Sequence, residues 1–238
     1  MKKFLSLVLV VLLLAMCTAC GGNEDTPSNT DPQNSGTTSS NNNSTTEPNN
    51  QNDKPKTITF ADVNNAPTSP ATDFFCNDDG NGGLIILEYL GDDEIVVIPE
   101  EINGKAVTKI NKFVFANDSS VMGVKLSSTI KEIDEGAFTQ NTKLQYVICG
   151  NGLETIGASA FFGCSSLCEI KLNEGLKTIC KQSFTSCEAL KSIEIPASVE
   201  TIELVAFNMM ADDFKIIGVA GSVAETYAKE SSFNFEAK

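Results

Sequence analysis

Apolar residues return along this chain with a fixed spacing of 23. Phe115, Phe138, Phe161, Phe184 and Phe207 form one row, and Ile110, Ile133, Ile156, Ile179 and Ile202 stand five residues ahead of them. Three residues earlier come Val107, Ile130, Leu153, Leu176 and Val199. A small residue precedes four of the phenylalanines (Ala137, Ala160, Ser183, Ala206) and leaves room beside the ring. The other half of each repeat runs Val121-x-x-Val124-x-Leu126, Leu144-x-x-Val147-x-Cys149, Leu167-x-x-Ile170-x-Leu172 and Leu190-x-x-Ile193-x-Ile195. Its last two apolar positions lie two apart, so they share one face of a strand and the residue between them faces the other way. Gly152, Gly175 or Pro196 follows, where the chain reverses. A period of this length predicts a solenoid, one turn of chain per repeat. A single repeat cannot offset its ordering entropy; stacked repeats cover one another's open faces.

The ends break the pattern. Phe74-Phe-Cys76, a turn at residues 77–83 and Leu84–Tyr89 predict a hairpin over the first turn. At the other end Phe214–Ile217 predicts a last strand. Ser222-x-x-Glu225 predicts a capping box opening a short helix, Val223 to Lys229. Phe207 is expected to have a ring neighbour on one side only.

The stretch Leu190 to Phe207, Leu-x-x-Ile-x-Ile-Pro-x-Ser-Val-x-x-Ile-x-x-x-Ala-Phe, resembles the repeat of BspA-like leucine-rich-repeat surface proteins. Ile98–Ile110 and Gly221–Ala228 resemble the start and end of such arrays, so the likeness covers roughly residues 74–235. It implies a leucine-rich repeat solenoid: a β-rich right-handed coil of 23-residue repeats with short helical turns, capped at both ends. It also implies a bacterial surface or secreted protein, in several relatives an adhesin, with no shared catalytic residues. Cysteine normally follows the phenylalanine by three residues, as Cys164 and Cys187 do. Asp118, Asn141 and Met210 stand there in the other repeats, and those turns are expected to pack less tightly.

The first twenty residues read as an export leader. Lys2 and Lys3 precede a short apolar core, Leu5 to Met16, too short for a stable membrane span. Met16-Cys-Thr-Ala-Cys-Gly-Gly22 resembles a bacterial lipoprotein signal, with Cys20 as the lipid-carrying residue; Cys17 stands where an aliphatic residue is usual. Cleavage without lipidation near Ala19 is the plainer alternative. From Gly21 to Lys56 there is no aliphatic or aromatic residue, a composition that predicts a disordered tether. The expected organisation is a leader at 1–20, a tether at 21–72, an N-terminal hairpin and first strand at 73–106, repeats at 107–212, and a terminal strand and helix at 213–238. Thr57–Phe60 reads at most as a stray strand.

Charge and chemistry narrow the function. The formal net charge is −14, which opposes nucleic acid and anionic membrane surfaces. Membrane contact is expected only through the lipid. No histidine is present, which excludes Ser-His and Cys-His catalysis. Carboxylates abound, but Glu132, Glu154, Glu169, Glu194 and Glu200 fall at positions that face water. No enzyme activity, cofactor or metal is expected. Asn77-x-Asp79-x-Asn81 is expected to be a hairpin turn rather than a calcium loop, since the later ligand positions do not fit. Cys164 and Cys187 lie one turn apart, about 4.7–4.9 Å, within reach of a disulfide. Buried thiols packed side by side are the favoured reading. A zinc site using Cys164, Cys168, Cys180 and Cys187 would need inward and outward side chains to meet.

What remains is a surface. The residues between the strand core positions form two outward columns: Gly123, Tyr146, Glu169, Ser192 and Lys125, Ile148, Lys171, Glu194. Tyr146 and Ile148, flanked by Lys125, Glu169, Lys171 and Glu194, are the candidate ligand-binding patch. The expected role is that of a monomeric, tethered module that binds a host or envelope protein or mediates adhesion. The alternative is a structural or assembly component of the envelope.

Overall fold

The structure, a computed structural model, describes residues 57–238. The leader, Cys20 and most of the tether lie outside the described residues.

The chain coils as expected, and each turn contributes two strands. On one side, β3 (Ile95–Val97), β6 (Gly123–Lys125), β8 (Tyr146–Ile148) and β10 (Glu169–Lys171) form a four-stranded parallel sheet. The same side continues through β12 (Ser192–Glu194), β14 (Lys215–Gly218) and β15 (Asn234–Ala237). Partners stand one repeat apart, Gly123 opposite Tyr146 and Tyr146 opposite Glu169. The centre of each strand (Val124, Val147, Ile170, Ile193) points into the core.

On the other side runs a second ladder that the apolar pattern does not announce. It comprises β5 (Lys105–Ile110), β7 (Glu132–Ile133), β9 (Thr155–Ile156), β11 (Thr178–Ile179) and β13 (Thr201–Ile202). The hairpin of β1 (Phe74–Asp78) and β2 (Leu84–Tyr89) extends it at one end, and β4 (Glu101–Ile102) folds onto β5. The half-repeat expected as a short helical turn is therefore a two-residue strand followed by hydrogen-bonded turns. Left-handed residues two before and two after each phenylalanine prevent a helix there: Ser159 and Gly163 around Phe161, Gln182 and Ser186 around Phe184. Between them, the N–H of each of the first four phenylalanines donates to the small residue of the next repeat. Phe138 reaches the Ala160 carbonyl and Phe161 that of Ser183, both at 2.8 Å.

The rings stack in a column with centroids 4.9–5.3 Å apart and planes within 11° of parallel. The column does not stop at the array. Tyr89 packs on Phe115 and Phe74 on Tyr89. At the far end Phe214 and Tyr227 both meet Phe207, and the Tyr227 hydroxyl accepts the Phe207 N–H at 3.1 Å. Phe207 thus has aromatic neighbours on both sides, contrary to the sequence expectation.

The C-terminal strand expected last is followed by another. After β14 comes a helix, Val223–Glu230, and then β15, paired in parallel with β14. The helix begins at Ser222, but the expected capping box is not made. The Ser222 hydroxyl is buried without a partner, and Glu225 accepts from the N–H of Gly221 instead. Asp118 and Asn141, expected to loosen their turns, tie them down: their side chains accept the N–H of Val121 and of Leu144.

The larger correction is upstream. Residues 57–72, assigned to the tether, are ordered. Thr59 and Asp62 form a reciprocal capping box that opens helix α1, Phe60–Asn65, and a 3-10 turn follows at Ala71–Asp73. Between them Ser69 pairs with the edge of β3: its N–H donates to the Val97 carbonyl and its hydroxyl accepts the Val97 N–H.

Candidate binding face

The columns expected on the strand face are there, in register from β6 through β10 and broken before β12, but α1 lies across half of them. Ile58 and Val63 bury themselves against Met122 and Ile148, with Phe60, Ile95 and Tyr146 around the rim. Gly123 makes this possible, since a Cβ there would stand 2.4 Å from Val63 Cγ2 and 2.9 Å from Ile58 Cδ1. Phe60 meets Tyr146 edge-on at 6.3 Å. Lys125 Nζ donates to the Asn64 carbonyl at 2.7 Å, a cation on the C-terminal end of the helix.

The six candidate residues therefore divide. Ile148 is 8% exposed and Tyr146 half-buried, where both were expected open. Burial, followed by Cys168 and Glu169, pushes the Tyr146 hydroxyl above its ordinary range. Lys125 is occupied by α1. Glu169, Lys171 and Glu194 remain exposed. They border a groove of about 490 Å³ whose walls include Phe60 on one side and Pro196 and Ile217 on the other. Ser192 and the exposed Cys168 also line it. Sequence reasoning missed Phe60 and Ile217 because the one was assigned to the tether and the other to an end strand.

Charge separates this face from the opposite sheet. There, lysines pair with acids one repeat on: Lys109 with Glu132, Lys112 with Glu135, Lys131 with Glu154, Lys177 with Glu200. Lys109 also reaches Asp134 at 2.7 Å. Burial alone would raise the Asp134 carboxyl, but Lys109, the Glu135 N–H and Lys112 together outweigh it and hold the group below its ordinary range. In the groove, the side chains of Glu169, Lys171 and Glu174 make no hydrogen bond or ion pair among the described residues, while Glu194 pairs with Lys238.

The other candidate chemistry is spent on structure. Cys164 and Cys187 are buried free thiols that donate to the carbonyls of Phe138 and Phe161, and burial pushes the Cys164 thiol up to about 12. Asp79 accepts the N–H groups of Asn81 and Gly83 and the Thr108 hydroxyl, which fixes the hairpin turn. No helix among the described residues is long and apolar enough to cross a membrane.

Comparison with known proteins agrees with this architecture. The profile of the BspA type Leucine rich repeat region matches residues 98–225 in six copies, more than half of the chain. A leucine rich repeat protein from T. pallidum superposes with a TM-score of 0.61 at 31% identity, over 63% of this chain and 71% of that one. A leucine rich cell surface protein from Faecalibacterium prausnitzii A2-165 gives 0.47 at 23% identity, over 66% and 52%. A leucine-rich repeat protein from Bacteroides capillosus gives 0.43 at 24%, over 63% and 97%. Among curated proteins nothing matches.

Proposed function

The chain belongs to the BspA type leucine-rich-repeat family, and from that premise we propose that it is a non-enzymatic surface module that binds a protein through the open part of its strand face. One observation carries this reading. On the strand side the chain's own α1 segment is already buried over β6 and β8, and the adjoining groove, where Glu169, Lys171 and Glu174 make no ion pair among the described residues, is left uncovered. A sheet face of this kind reads a partner by area and shape, with a few central contacts setting affinity. Export and a lipid at Cys20 would hold the solenoid at the cell surface, with residues 21–56 as its leash. Adhesion to a foreign protein is the favoured use, and assembly with an envelope protein the alternative.

The test is capture from host matrix proteins and from envelope extracts by the solenoid, by Glu169→Lys/Lys171→Glu, and by Lys177→Glu/Glu200→Lys on the opposite sheet. The first variant should lose the partner and the second keep it. The reverse pattern places the binding face elsewhere, and no capture by the parent chain removes the reading. One stoichiometric endogenous partner favours assembly. Fatty-acid labelling of cells tests the anchor, since Cys20→Ala should abolish it; unchanged labelling rejects Cys20.

A further inference from the structure

The outward columns repeat with the solenoid, so the docking of α1 is a worked instance of what this face accepts. Val63 sits over Gly123, the smallest residue of its column, and Lys125 beside it takes the helix's terminal carbonyl. Three repeats on, the same column again offers a small residue, Ser192, after the larger Tyr146 and Glu169. Adjacent turns lie about 4.8 Å apart, so Ser192 is well clear of α1, and the groove over it is open. Its walls are apolar: Phe60 on the α1 side, Ile217 on the β14 side. Its floor carries Glu169 and Glu194 on either side of Lys171, and Glu174 lies at the rim. Lys238 pairs with Glu194 and also feels Glu174, so three acids at the groove face two lysines, Lys171 and Lys238.

Resting on the protein-binding reading, we propose that this groove docks a short segment of a partner protein that sets an apolar side chain over Ser192 beside a lysine or arginine held by Glu169 and Glu194. Two features favour that occupant. The groove continues an interface in which the same face already buries a short amphipathic segment. Its excess charge is acidic, on a chain whose formal net charge is −14, so a cationic segment is drawn in and an acidic one is repelled. The apolar walls supply the burial that charge attraction alone lacks.

Fluorescence anisotropy with the whole chain tests this, using two labelled 15-residue probes with the same leucine pattern, one with lysines between the leucines and one with glutamates. The lysine probe should bind at least tenfold more tightly than the glutamate probe. Glu169→Lys/Glu194→Lys should weaken the lysine probe at least tenfold, and Ser192→Trp should do the same by filling the site. Glu154→Lys/Glu200→Lys on the opposite sheet should change it less than twofold. Equal binding of the two probes overturns the proposal, as does equal loss from the two charge reversals, which is diffuse attraction. Self-association of the chain that Ser192→Trp abolishes assigns the groove to a second copy and also overturns it. A captured protein that Ser192→Trp releases but Glu169→Lys/Glu194→Lys does not would sink the cationic partner while leaving protein binding intact.

Discussion

Two halves of one strand face, built from the same repeat, are used differently. Over β6 and β8 the outward residues are Gly123, Lys125, Tyr146 and Ile148, and the chain's own α1 engages all four. Over β10 and β12 they are Glu169, Lys171, Ser192 and Glu194, and they stay open. The 23-residue spacing is the same in both, but β6 and β8 pair directly whereas the ladder breaks between β10 and β12, and the outward side chains differ. Apolar outward residues attract the segment at residues 58–63, because burying them removes apolar area from water. Charged ones keep their hydration, and that half of the face stays open. In a solenoid the core positions fix the shape, and the positions between them assign each stretch of face its occupant.

Both halves ride on the same ring column, so the most damaging change should affect both. Phe161→Ala is expected to cost about 3–5 kcal/mol, read as a shift in the denaturant midpoint. Phe207→Ala should cost a comparable amount, because Phe214 and Tyr227 close its outer side. A much milder Phe207→Ala would mean that the terminal rings do not pack as described.

The next change separates the halves. Val63→Ala should cost about 1.5 kcal/mol for the lost methyl groups. Gly123→Val should eject α1, since the new side chain takes the space of Val63 and Ile58. Limited proteolysis should then cut within residues 57–68 while the repeats resist. Glu169→Gln on the open half should leave stability within about 0.5 kcal/mol of the parent. Equal protection of 57–68 in parent and Gly123→Val would break the comparison. The thiols sharpen it further. A maleimide should modify the exposed Cys168 well before Cys149 or Cys164, whose thiols burial pushes up to about 12.

The smallest expected effect belongs to the opposite sheet. The folded Asp134 carboxyl is held below its ordinary value, so its stabilising contribution is present above about pH 4 and is lost as pH falls through the folded value. Melting temperature against pH should fall less steeply on the acid side in Lys109→Met than in the parent. Identical acid slopes would remove Lys109 as a cause.

How far the sequence announced this varies by element. The ring column, the inward strand residues and both outward columns were legible because five registers agree at one period. The second ladder was not, since a two-residue strand such as Thr155–Ile156 is too short to show an alternation. Helix α1 was hidden by its neighbours: four apolar residues at the end of a polar stretch carry little periodic signal. Thr59-x-x-Asp62 before Val63 was the available clue, an N-cap with an acid three residues on. The site was half legible. The outward columns stand where the pattern places them, but Tyr146 and Ile148 are apolar as well as outward, which is why the chain covers them.

The most direct test is photo-crosslinking in the presence of a captured partner, with a photoreactive residue placed in turn at Glu169, Ser192, Tyr146 and Thr155. The account predicts partner adducts from 169 and 192, adducts only to the chain's own residues 58–64 from 146, and no partner adduct from 155. Partner adducts from 155 and none from 169 or 192 would contradict it.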